Sequence, residues 1–109
     1  MRRNKTESEK DIELLNGLAQ VHLVFGMHTT ALHLLELSCW LDDTNEKTLK
    51  LIARCYFNLK NAEQVIQVLD RIDSLEEIHE PDEEELLLRA RSYTLLGNQD
   101  AARRVLTGA

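Results

Sequence analysis

Residues 49–56, Leu49-Lys50-Leu51-Ile52-Ala53-Arg54-Cys55-Tyr56, return thirty-seven positions later as Leu86-Leu87-Leu88-Arg89-Ala90-Arg91-Ser92-Tyr93. In both copies an alanine follows the leading leucine by four and a tyrosine follows the alanine by three, which sets all three on one helical face. Thirty-four positions upstream, Leu15, Ala19 and His22 occupy the same places, with Leu18 above Ile52. The match extends beyond this segment: Leu35 aligns with Leu69 and Leu106, and Val65 with Ala102. A period of this length is the mark of a supersecondary unit that stacks on copies of itself. The second interval is longer by three residues, and the surplus falls between Asp73 and Asp82, around Pro81, the only proline.

Each copy reads as two antiparallel helices. In the first, Leu14, Leu15, Leu18, Ala19, His22 and Leu23 keep three-and-four spacing, and Gly26 ends the helix. Thr29 or Thr30 is placed to cap the second helix, whose expected face is Ala31, Leu32, Leu35, Leu37 and Trp40. Thr44 or Asn45 opens the third helix, which reaches about Leu59, and Asn61 opens the fourth, to about Ile72. Asp82 precedes the acidic turn Glu83-Glu84-Glu85, which suits the positive end of a helix dipole. That helix runs to Leu96, Gly97-Asn98 stops it, and a last one spans about Gln99 to Thr107. The expected organisation is a frayed N-terminus over 1–11 and one domain over 12–109, with repeats at about 12–45, 46–79 and 83–107.

Composition agrees with helices. Of 109 residues, 43% are hydrophobic and 29% charged, too apolar for disorder. Four glycines and one proline are too few for many turn-linked strands. The formal charge of -6 argues against nucleic acid or anionic lipid as partner. No apolar run has the length of a signal segment or a membrane span, so the expected location is the cytoplasm. Cys39 and Cys55 fall inside apolar helical patterns and read as buried free thiols rather than a disulfide pair.

Paired helices with a period near 34 resemble the tetratricopeptide repeat. Ala19, Ala53 and Ala90 sit where that family keeps a small residue for close helix approach, and Tyr56 and Tyr93 hold its aromatic position. Ala31 and Ala102 fill the small position of the second helices, with Val65 a bulkier substitute. His22 in place of an aromatic and Arg89 at a usually apolar site depart from the pattern. The resemblance implies an all-α chain of three helix-turn-helix repeats forming a short right-handed solenoid with a concave groove.

Size, acidity, and the stretches Leu14-Leu15-Asn16-Gly17 and Gly26 to Leu37 further resemble the small tetratricopeptide-like chaperones of bacterial type III secretion systems. The YscY type is the nearer likeness and the YscG type the second. This resemblance implies a cytoplasmic bacterial chaperone for a small export substrate, YscX-like or a needle subunit, with contact to an export gate protein. The protein would be a monomer alone or a heterocomplex with its substrate.

Chemistry is not indicated. His22, His28 and His33 lack metal-ligand spacing, and no nucleophile elbow or phosphate loop is present. Glu76-Glu77 and Glu83-Glu84-Glu85 read as a solvated loop and helix start rather than paired catalytic carboxylates. No cofactor, metal or enzymatic activity is expected. The clamp with which some tetratricopeptide proteins grip acidic tails is missing, because Gln20, Glu84 and Leu88 stand where Asn, Lys and Arg would be needed.

In a solenoid the first helix of each pair lines the concave side. Counting from the small residues, that side carries Gln20, Leu23, Val24, Lys50, Arg54, Phe57, Leu87, Arg91 and Leu95. Apolar residues with basic edges suit an amphipathic helix. The expected function is masking of such a helix in an export substrate, and the alternative is a scaffold tethering two stable proteins. The segment from Asp73 to Pro81 is expected to be exposed and tolerant of change.

Overall fold

Thr6 accepts a hydrogen bond from the Glu9 amide through its hydroxyl and opens α1 (Glu7–Val24). The computed structural model describes residues 6–108. The frayed N-terminus expected over 1–11 is therefore helical from Glu7 on, while its first five residues lie outside the described ones. A hydroxyl cap followed by Glu7 and Glu9 in the first turn stabilises that extra helix, and Ile12 anchors it in the core.

Five more helices follow: α2 (His28–Leu41), α3 (Glu46–Asn58), α4 (Ala62–Ser74), α5 (Glu83–Leu95) and α6 (Gln99–Thr107). Among the described residues there is no strand. Each helix packs on its neighbours in sequence, and α1 touches α3 and α3 touches α5. The second helices of successive pairs make no such contact, so α1, α3 and α5 form the inner layer of the stack. The stack is elongated, 46 × 34 × 19 Å, with a radius of gyration of 14.9 Å against about 13 Å for a compact domain of this length. No described helix is long and apolar enough to cross a membrane.

The turn inside each pair is built three times in the same way. Gly26, Lys60 and Gly97 take the left-handed conformation, with φ of 75°, 64° and 79°. In each turn the next amide reaches back five residues: Met27 to His22, Asn61 to Tyr56 and Asn98 to Tyr93. Such a turn satisfies carbonyls the helix end would leave open, and glycine adopts it without the Cβ clash that lysine meets. Lys60→Gly should therefore raise stability by about 1 kcal/mol, an upward Tm shift of several degrees in a melt followed by circular dichroism.

Ala19, Ala31 and Ala53 are fully buried and Ala90 and Ala102 nearly so, as the close approach of paired helices requires. Around them lie Leu35, Val65, Leu69 and Ile72. In the first pair the buried face is not the expected one. Ile12, Asn16 and Ala19 face inward on α1, while Leu14 and Leu18 are exposed. On α2, Ser38 rather than Leu37 or Trp40 completes the face of Ala31, Leu32 and Leu35. Leucines on several sides of one helix give periodicity no unique answer, and α1 here buries an asparagine in preference to two of them. The N-cap of α2 is Met27, not Thr29 or Thr30, with no side-chain bond. Asn45, Asp82 and Asn98 cap α3, α5 and α6 by accepting from Thr48, Glu85 and Ala101 amides.

Polar links across the inner layer repeat as well. Asn16 Nδ2 donates to Thr48 Oγ1 at 2.9 Å, joining α1 to α3. The residues one repeat later are Lys50 and Glu85, and their side chains meet at 3.2 Å, joining α3 to α5. Arg89, at the unusual position, lies between Asp70 at 2.7 Å and Asp73 at 3.0 Å, so the charge is paired across α4 and α5.

Candidate functional site

The next residue in the series Asn16, Lys50 is Leu87, and among the described residues it has no following repeat to hold. It is part of a groove of about 570 Å³ over α3, α5 and α6. Phe57, Leu87, Leu95 and Leu106 give the groove its apolar lining, with Ala90 and Ala102 between them. Lys60, Arg91 and Arg103 stand around it, and none of the three has a described ion-pair or hydrogen-bond partner for its side chain. On a chain of net charge -6, this apolar hollow with three uncompensated cations is a local inversion of sign.

The structure thus brings Phe57, Leu87, Arg91 and Leu95 together and places the other five expected residues elsewhere. Gln20 lines a separate, polar depression with Asn45 and Lys47. Leu23 is half-buried against the core, and Val24 is exposed at the end of α1. Lys50 binds Asp82 and Glu85, and Arg54 donates through Nη2 to both Glu84 carboxylate oxygens at 2.8 and 2.9 Å. The basic edge expected from Lys50 and Arg54 is thereby neutralised, because the acidic turn of α5 lies against α3. Lys60, Arg103 and Leu106 were missed, since helix-face counting followed only first helices and this groove uses a turn and α6.

Phe57 also packs against the buried cluster, so it belongs both to the groove and to the core. Tyr56 does so too, and burial pushes its hydroxyl pKa up. The cysteines are free; burial raises the Cys55 pKa to about 11 and also lifts that of Cys39, so both are sluggish thiols.

A second polar centre lies under the segment from Asp73 to Pro81. His79 folds back with a nearly buried ring, and its Nε2 lies 2.8 Å from Glu85 Oε2. Glu46 and Asp73 approach the same ring at 3.9 and 3.8 Å. Glu85, read from sequence as solvated, is 3% exposed. One ligand atom each from Glu46, His79 and Glu85 falls within 4.8 Å of the others. The Lys50 ammonium already sits 3.2 Å from Glu85 Oε1, however, so the arrangement is an ion-pair network with its own cation. It ties the segment from Asp73 to Pro81 to α3 and α5 through His79, while most of that segment is exposed as expected.

The hydrogen bond that the ring donates to Glu85 raises the His79 pKa above its ordinary value; burial opposes this, and Glu85, Glu46 and Asp73 charges add to it. Asp82 and Lys50 complete the surroundings. A raised histidine pKa contributes stability that is complete below the unfolded pKa and lost as pH rises through the folded one. Tm should accordingly fall as the pH rises above the ordinary histidine value of about 6.5, and His79→Gln should flatten that slope. Equal slopes for both proteins would show that folding leaves the His79 pKa unchanged.

No curated protein matches the chain. A family model does, over residues 2–72, which holds the first two helix pairs; its description is anaphase-promoting complex, cyclosome, subunit 3. This is a tetratricopeptide-like repeat family, in keeping with the stacked pairs, the small residues between them and the thrice-built turn. The third pair repeats the same design outside the matched residues. The chain belongs to the anaphase-promoting complex, cyclosome, subunit 3 family of tetratricopeptide-like helical repeats.

Proposed function

We propose that the protein is a chaperone of bacterial type III secretion that masks an amphipathic helix of a small export substrate in the cytoplasm. The fold is an interaction scaffold, and the observation that carries the finer reading is the apolar groove with its three unpaired cations. Such a site favours a helix with leucine-like residues on one side and carboxylates flanking them. Burying that helix would keep the substrate from assembling or aggregating before export. The substrate would be YscX-like, or a needle subunit if the YscG likeness is the truer one, with an export gate protein as a further contact.

The rival is a scaffold tethering two stable proteins, and the apolar outer face of α1 and α2 favours it by offering a second contact surface. Co-expression separates the two. A masked substrate stays soluble only with this protein present, whereas a scaffold's partner is soluble by itself. Equal solubility with and without the protein would sink the chaperone reading.

A further inference from the structure

Two contacts recur along the inner layer in a fixed register. Asn16 meets Thr48 at 2.9 Å, and one repeat later Lys50 meets Glu85 at 3.2 Å. Four residues on, Gln20 shares a polar depression with Lys47, and its counterpart Arg54 pairs with Glu84 at 2.8 Å. Each time the second contact falls on the residue just before the first, in the opening turn of the next inner helix. The following members of the two series are Leu87 and Arg91, and both line the groove. The second helices tell the same story. Leu35 and Leu69, which precede a further pair, are 0% and 2% exposed, whereas their counterpart Leu106 is 60% exposed.

The groove thus has the register of a seat for an inner helix, and no described residue fills it. Resting on the reading of this groove as the substrate site, we propose that the substrate helix enters as a seventh helix of the stack, parallel to α1, α3 and α5. Its opening turn carries a carboxylate followed directly by an apolar residue. The carboxylate pairs with Arg91, and the apolar side chain packs on Leu87.

Charge selects this occupant. Arg54 is neutralised by Glu84, but its counterpart Arg91 has no described ion-pair or hydrogen-bond partner for its side chain. Lys50 takes the acidic Glu85, whereas Leu87 in its place calls for an apolar neighbour, since a carboxylate there would be desolvated without a partner. Lys60 sets the direction. It stands in the turn after α3 and lines the groove together with Leu95, the last residue of α5. A parallel helix ends there, with the partial negative charge of its C-terminus facing that cation; an antiparallel one would bring its positive end to it.

Two synthetic peptides test the placement, each an alanine-rich helix of about five turns with leucines at three-and-four spacing and one glutamate. One carries the glutamate directly before its first leucine, the other directly after its last, and fluorescence anisotropy reads binding. The first should bind about fivefold tighter. Arg91→Glu should remove that preference, and a lysine replacing the first-turn glutamate should then improve binding to this variant by about tenfold. Leu87→Asp with Leu95→Asp should abolish binding of both peptides.

Equal affinities, or a preference for the last-turn glutamate, would overturn the placement while the groove reading stands. A first-turn preference that persists in Arg91→Glu would reflect the helicity of the peptide and overturn the register. Binding of neither peptide, or binding untouched by the double variant, would overturn the groove reading as well. Sedimentation of the chain without peptide covers the remaining occupant. Growth in mass that the double variant abolishes would assign the seat to another copy of the chain and overturn the proposal.

Discussion

Leu87→Asp combined with Leu95→Asp should weaken binding of an amphipathic substrate helix by about a hundredfold or more, with helicity and Tm close to wild type. Both residues line the groove, and 39% and 52% of their surfaces are open, so the fold loses little when they change. Covering the open part of two leucines contributes about 3 kcal/mol to a complex, and carboxylates in their place also repel an acidic helix. Titration calorimetry with the co-expressed substrate segment reads the loss. Phe57→Asp is a poor substitute because Phe57 also packs on the core, so its removal would unfold as well as unbind. Wild-type affinity in the double variant would mean that the helix binds elsewhere.

Asn16→Ala should cost about 2–3 kcal/mol, a Tm drop on the order of 10–20 °C. Asn16 is 5% exposed and sits between Ser38, which donates to its Oδ1 at 3.0 Å, and Thr48 at 2.9 Å. It thus clamps α1 to both α2 and α3. Truncation strands the fully buried Ser38 hydroxyl, whereas Thr48 keeps Asn45 at 3.1 Å. Ser38→Ala in the same chain should therefore recover part of the loss, and a double-mutant cycle would measure the coupling. Strict additivity of the two changes would show that the hydroxyl finds another partner.

Much of the fold could be read from the chain alone, for a local reason. The turn glycines Gly26 and Gly97, the caps Asn45 and Asp82, and the buried alanines act within one helix pair, so spacing reveals them. The groove was half legible by the same logic. Phe57, Leu87, Arg91 and Leu95 were found because one helical register carries them, whereas Lys60, Arg103 and Leu106 join from another register.

By itself, then, the sequence determined six helices in three antiparallel pairs, their turns and the small residues that let them approach. Only the tertiary structure decided which polar groups are buried and which leucines are not. Asn16 goes inside because Ser38 and Thr48 come from other helices to meet it, and Lys50 and Arg54 lose their free charge because the acidic turn of α5 lies against α3. His79 leaves solvent for a site assembled from three separate segments. Leu14 and Leu18 remain outside because the stacking that covers their counterparts Thr48 and Ile52 is missing on that side. Helical periodicity tells which residues share a face, but burial is settled by what packs against that face, and those neighbours lie about thirty residues away along the chain.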